Sequence, residues 1–183
     1  MKLKDLYKKE ITKKLKEKFA YSNVLEIPKV EKVVINVGMG RHSKEKAYIE
    51  NVVNALTRIS GQKPVLTKAK KSISAFKIRE GMVVGASVIL RREKMYDFLE
   101  RLVNVTFPRV RDFRGIDAKN IDKCGNLNIG FKEHTAFPEI QADEIDNVFG
   151  LEVTIVTSAK TKEEGKELFD LMGFPFKKEE DKK

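Results

Sequence analysis

The chain has 183 residues, 41% of them hydrophobic, enough apolar material for one filled core and too much for general disorder. Lys plus Arg number 37 against 27 Asp plus Glu, a formal charge of +10 with a pI near 9.5, so the expected partner is a polyanion: RNA, DNA or an acidic membrane surface. No stretch approaches the roughly 18 apolar residues of a bilayer span, the start MKLKDLYKKE lacks a signal-peptide core, and a single cysteine, Cys124, excludes an intrachain disulfide, so a reducing cytosol is expected.

Residues 3–19 predict an amphipathic helix. Leu3, Tyr7, Ile11, Leu15 and Phe19 recur every four positions with Leu6 beside them, and lysines fill the other face. Its stripe suits either docking on a core or lying on a membrane surface. Residues 30–37 predict a strand with Val33, Ile35 and Val37 on one face and Val34 and Asn36 on the other. A helix over about 44–60 follows, with Tyr48, Val52, Leu56 and Ile59 on one stripe and Gly61 at its C-terminal end. Pro64 to Thr67 reads as a short strand, 68–82 as an irregular loop, and Gly85 to Arg91 as a strand. The next helix, 93–106, carries Met95, Phe98, Leu99 and Leu102 on one face, and Pro108 is expected to stop it. Turn signals fill 108–126. Leu127 to Phe131 and Leu151 to Thr157 are strands, the second with Leu151, Val153 and Ile155 inward. A last helix opens with a capping box, Thr161 and Glu164, and closes at Gly173. This order predicts one α+β domain over 1–176, a mainly antiparallel sheet with helices packed on one face. Residues 177–183 read as a disordered charged tail.

Catalytic chemistry has little to build on. His42 and His134 are the only histidines, neither with a second His or a Cys at i+3 or i+4, and Cys124 has no second cysteine near it. Gly38-Met39-Gly40 lies between strand and helix as a dinucleotide loop does, but position 43 is Ser, and no phosphate-loop motif occurs. Asp143, Glu144 and Asp146 form an acidic cluster suited either to Mg²⁺ or to a helix N-terminus. Neither a catalytic site nor a cofactor is expected.

Positive charge is the informative feature. From Asn51 to Arg79, 29 residues contain no Asp or Glu, where the chain's average acid content would place about four. The same window holds Arg58, Lys63, Lys68, Lys70, Lys71, Lys77 and Arg79. In the N-terminal helix, by contrast, Asp5, Glu10 and Glu17 interleave the lysines. Phosphate recognition needs cations without competing carboxylates. Gln62, Thr67, Ser72 and Ser74 add donors for phosphate or 2′-hydroxyl oxygens. Phe76 suits either stacking on an exposed base or anchoring the loop to the core, and Gly81 lets the backbone approach a ligand. In PRVRDFRG (108–115), Arg109, Arg111 and Arg114 offer planar forks for phosphate or carboxylate, or belong to a loop pinned by Asp112 and Asp117.

The segments VVINVGMG (33–40), GQKPVLTKAKKSI (61–73), FKIREGM (76–82), PRVRDFRG (108–115), KEHTAFPEI (132–140) and IVTSA (155–159) resemble, in order, those of the bacterial large-subunit ribosomal protein L-five family. The resemblance runs from about Leu6 to Phe176. It implies an antiparallel sheet backed by helices and a cytoplasmic, non-enzymatic ribosomal component that attaches 5S rRNA to the large subunit in the central protuberance. By the same resemblance, Asn36, Gln62, Lys63, Thr67, Lys68, Lys70, Lys71 and Ser72 contact 5S rRNA. The loop 70–82, with Ser74, Phe76, Lys77, Arg79 and Gly81, reaches the peptidyl-site tRNA. Arg109, Arg111, Arg114, Glu133 and His134 belong to an intersubunit bridge with small-subunit protein S-thirteen. Further implied partners are 23S rRNA and neighbouring 5S-binding ribosomal proteins; no membrane is implied. The sequence departs from the family pattern at Arg92, where Gly is usual, at Cys124, where Arg is common, and at His134-Thr135, which replace a Gln-apolar pair.

Overall fold

A computed structural model of the chain describes residues 2–140 and 147–177. Its strands are β1 (Val30–Gly38), β2 (Val65–Lys68), β3 (Val83–Leu90), β4 (Leu127–Phe131) and β5 (Leu151–Thr157). They form a five-stranded antiparallel sheet in the order β2-β3-β1-β5-β4, and with its helices the chain has the expected α+β class. Side chains two apart share a face of a strand. Val33, Ile35 and Val37 of β1 are accordingly buried, as are Ala86, Val88 and Leu90 of β3, Leu127, Ile129 and Phe131 of β4, and Leu151, Val153 and Ile155 of β5.

The chain folds as two compact units. One comprises the residues up to Val33, Leu90–Ile129 and those from Thr154 onward; the other comprises Val34–Ile89 and Gly130–Val153. In the first unit, α1 is α-helical over Leu3–Leu6, π-helical over Tyr7–Ile11 and α-helical over Thr12–Phe19. Leu3, Ile11 and Leu15 are buried, so the apolar stripe docks on protein and is not left for a membrane. The Tyr7 hydroxyl donates to the Pro28 carbonyl at 2.9 Å, and burial raises its pKa to about 12. Ion pairs of Lys4 with Glu93 and of Lys18 with Glu167 tie down the two ends of α1.

The second helix of this unit begins as α-helix over Arg92–Arg101, passes through a π-helical turn at Leu102–Thr106 and ends as α-helix at Phe107–Arg109. We label this whole segment α3. Pro108 therefore does not stop the helix as expected. A proline ring clashes with the carbonyl four residues back in an α-helix. Here Phe107 N–H donates five residues back, to Leu102 O, and this wider turn shifts the carbonyls ahead of Pro108. Helix α4 (Lys162–Leu171) has the expected capping box: Glu164 N–H donates to Thr161 Oγ1 at 3.3 Å, and Thr161 N–H donates to the Glu164 carboxylate at 3.4 Å. Gly173 closes it at φ +85°. Lys177, at the head of the expected tail, donates its N–H to Ile116 O at 3.0 Å; residues 178–183 lie outside those described.

In the second unit, α2 (Lys46–Ser60) buries Tyr48, Val52, Leu56 and Ile59, the expected stripe, and ends at Gly61 with φ +65°. Strand β2 is an edge strand whose four residues are all exposed. Val65 pairs with Ser87, Leu66 with Ala86 and Thr67 with Gly85, and a bulge follows between Thr67 and Lys68.

Candidate nucleic-acid interface

The carboxylate-free window lies in the second unit and carries an ordered loop. Ala69 N–H donates to Met82 O (2.8 Å) and Gly81 N–H to Ala69 O (3.0 Å). Farther out, Ile73 and Ile78 exchange backbone hydrogen bonds of 2.9 and 3.2 Å, and Glu80 N–H donates to Ser72 Oγ (2.9 Å). The expected irregular loop is thus a stapled, hairpin-like projection. Its tip is a 3₁₀ turn, Ser74–Phe76, followed by Lys77 at φ +54°; Gly81 turns the chain back at φ +82°. Phe76 stands 71% exposed, which removes the core-anchor reading of this ring. Lys70, Lys71, Lys77 and Arg79 are exposed around it, and among the described residues none of them is ion-paired to a carboxylate.

Beside the loop lies the solvent face of the sheet. Asn36 of β1 and Thr67 of β2 point to this face, with β3 between them. Gly85 of β3 makes room for both neighbouring strands: a Cβ there would stand 2.7 Å from Thr67 Oγ1 and 2.9 Å from Val37 O. A side chain at 85 would turn the Thr67 hydroxyl aside and press on the Val37 carbonyl of β1. Gln62 and Lys63, just after α2, and Lys68 are exposed. The Gln62 N–H donates to Ser60 Oγ at 3.2 Å, which ties this corner to the end of α2. Sequence reasoning missed Gly85, Ser87 and the exposed Val65 and Ile89 on the same face. The signal for the first was a glycine inside a β-rich run, which marks close backbone approach.

The residues assigned to the bridge divide between the two units. Arg109, Arg111 and Arg114 belong to the first, and all are exposed. Their loop is held by Phe113 stacked on Phe107 at 5.1 Å and by Ile116 pairing with Phe176. Asp117, expected to pin this loop, caps the next turn by accepting from Lys119 N–H at 2.9 Å, and Asp112 sits at φ +53°.

Glu133 and His134 belong to the second unit, and only Glu133 is exposed. His134 is 3% exposed, so the expectation that its side chain faces a partner is corrected. Its ring stacks on Phe149 at 3.9 Å and 6° between planes, and its Nδ1 accepts from Phe149 N–H at 3.4 Å. Burial, the largest cause, lowers its pKa below the ordinary imidazole value, with the nearby Glu133 carboxylate opposing in part.

Asp143, Glu144 and Asp146 lie outside the described residues. Among the described residues no group of three His, Cys, Asp or Glu side chains is placed to hold a metal ion, and no helix is long and apolar enough to cross a membrane. Cys124 is exposed in a turn organised by Asp122, whose carboxylate accepts from the N–H groups of Cys124 and Asn126.

Known proteins resolve what class of molecule carries this basic loop and open sheet face. Residues 23–79 match the family described as ribosomal protein L5, and residues 83–176 match the C-terminal region of the same ribosomal protein family. The class is that of structural components of the ribosome. Large ribosomal subunit protein uL5 of Halothermothrix orenii is 58% identical over 174 residues, covering 95% of this chain and 97% of that one. The protein of the same name from Desulforapulum autotrophicum is 55% identical over 175 residues, covering 96% and 98%. That from Syntrophomonas wolfei is 53% identical with the same coverage. The chain belongs to the ribosomal protein L5 family. It is a bacterial large-subunit component acting in translation in the cytoplasm, with ribosomal RNA and ribosome components as partners, and it is not an enzyme.

Proposed function

We propose that this protein binds 5S rRNA and attaches it to the large subunit in the central protuberance. Asn36, Gln62, Lys63, Thr67, Lys68, Lys70, Lys71 and Ser72 form the 5S-contacting surface. The loop tip, with Ser74, Phe76, Lys77, Arg79 and Gly81, touches the peptidyl-site tRNA. Arg109, Arg111, Arg114 and Glu133 meet small-subunit protein S-thirteen across the subunit interface, and His134 serves there by packing beneath the surface. 23S rRNA and neighbouring 5S-binding proteins complete the partners.

One observation carries the reading. The longest carboxylate-free stretch of the chain runs from α2 through the edge strand β2 into an exposed, hydrogen-bonded projection next to an open sheet face, with Glu80 on its returning arm. Cations so arranged, with Glu80 the one carboxylate among residues 51–82, meet phosphates with little internal competition, and a projection already stapled loses little entropy on binding. The test is to recover the protein from cell lysate and identify the RNA that comes with it, with 5S rRNA expected. In filter binding, Lys70→Glu with Lys71→Glu will keep the fold, weaken 5S binding and lower the log–log salt slope by roughly one per lysine that contacts phosphate. Recovery without 5S rRNA, or an unchanged slope, would overturn the assignment.

A further inference from the structure

Positive charge is concentrated in the N-terminal helix as well as in the central window. Residues 2–18 hold Lys2, Lys4, Lys8, Lys9, Lys13, Lys14, Lys16 and Lys18 against Asp5, Glu10 and Glu17, eight cations to three carboxylates. The balance of +5 in this one helix is half the formal charge of the whole chain, +10. The interleaved acids read as a solvated face in the sequence, and the structure divides these lysines by role. Lys4 and Lys18 are taken up by Glu93 and Glu167, which fasten the helix ends within the first unit. Lys8, Lys9, Lys13, Lys14 and Lys16 stand exposed along about 12 Å of helix axis. Among the described residues none of these five is ion-paired to a carboxylate.

We propose that α1 is a second, separate ribosomal-RNA-contacting surface, in which these five lysines take the phosphate backbone. The inference rests on the reading of the protein as an RNA binder, and it assigns to the first unit a contact that reading leaves out. Charge selects a polyanion, and the packing selects among polyanions. A helix that lies on an anionic membrane needs its apolar face for the acyl boundary. Here Leu3, Ile11 and Leu15 are already buried against protein, and the Tyr7 hydroxyl is bonded to Pro28 O. Only the charged side remains, five lysines against the exposed Glu10 and Glu17, and the surplus of cations on it suits a phosphate backbone. The tethered ends keep the helix from paying an ordering cost when it binds.

The experiment measures salt dependence of binding by the full chain to 5S rRNA and to 23S rRNA, each alone. The test variant is Lys9→Gln, Lys13→Gln, Lys16→Gln, since glutamine keeps helix propensity. A control with the same loss of charge elsewhere in the first unit is Lys119→Gln, Lys123→Gln, Lys162→Gln. Circular dichroism and thermal melting verify the fold of both. The expected result is a log–log salt slope lowered by about two to three on at least one RNA for the helix variant, and unchanged slopes for the control. An unchanged slope on both RNAs, while Lys70→Glu with Lys71→Glu still weakens 5S binding, would overturn this inference and leave the 5S assignment intact. Equal slope losses in helix variant and control would also overturn it, as an effect of net charge alone. A wild-type chain that binds neither RNA would sink both readings. Binding to anionic phosphatidylserine vesicles that vanishes in the helix variant, with RNA slopes untouched, would give the surface to a membrane instead.

Discussion

Gly165 in α4 and Gly125 in the turn before β4 meet backbone to backbone: a Cβ on Gly165 would stand 2.5 Å from both Cα and O of Gly125. Gly125 is held there by Thr157, whose hydroxyl donates to its carbonyl at 2.9 Å, and it cannot retreat cheaply. Alanine raises intrinsic helix stability over glycine by about 1 kcal/mol, yet overpacking at such a contact costs more. Gly165→Ala will destabilise the protein by about 2–3 kcal/mol, read as a lower urea midpoint. An unchanged midpoint would show that the contact is soft.

Phe76 gives the opposite balance, since its ring is outside the core. Phe76→Ala will leave folding stability within about 0.5 kcal/mol. If the ring stacks on a base, RNA affinity will fall by about 1–3 kcal/mol. Titrating tRNA and 5S rRNA separately shows which one uses it.

Arg92 occupies the left-handed region at φ +55°, where a side chain costs roughly 1–2 kcal/mol and glycine costs nothing of the kind. Part of the gain from Arg92→Gly returns through the looser unfolded chain. The net expectation is stabilisation of up to about 1 kcal/mol, measured as a rise in melting temperature. Loss of stability would mean that the Arg92 side chain contributes more than its backbone costs.

His134 makes stability depend on pH. Burial lowers its pKa below the ordinary 6.5, so in the acid range the unfolded chain binds a proton that the native chain refuses. Its contribution is therefore complete above pH 6.5 and is lost as pH falls below that value toward the depressed native pKa. Denaturation midpoints of the wild type taken between pH 7 and pH 5 will drop, and those of His134→Gln will drop less. Parallel curves for the two proteins would refute the assignment.

Much of this architecture is legible residue by residue because it depends on local pattern. Val33, Ile35 and Val37 alternate, Tyr48, Val52, Leu56 and Ile59 recur at helical spacing, and Thr161 with Glu164 announces a helix start; all are found as expected. The basic window is equally visible, since missing carboxylates can be counted. Distant partners are not visible. The π turn that admits Pro108 is a hydrogen-bond shift that no residue type announces. His134 reads as a polar loop residue until Phe149, fifteen positions on, stacks against it. Phe76 is apolar in either of its two readings, and only the staple between Ile73 and Ile78 turns it outward.

Strand β2 ends the sheet on its side, so half of its backbone donors and acceptors look outward beside the bare Val65. Such a rim recruits any extended polypeptide, including a twin of itself. Lys63, Lys68, Lys70 and Lys71 crowd the approach with like charge, and two rims drifting together repel. The same cations that we propose for nucleic acid thereby guard the unassembled protein against clumping, a protection that concentrated electrolyte will strip away.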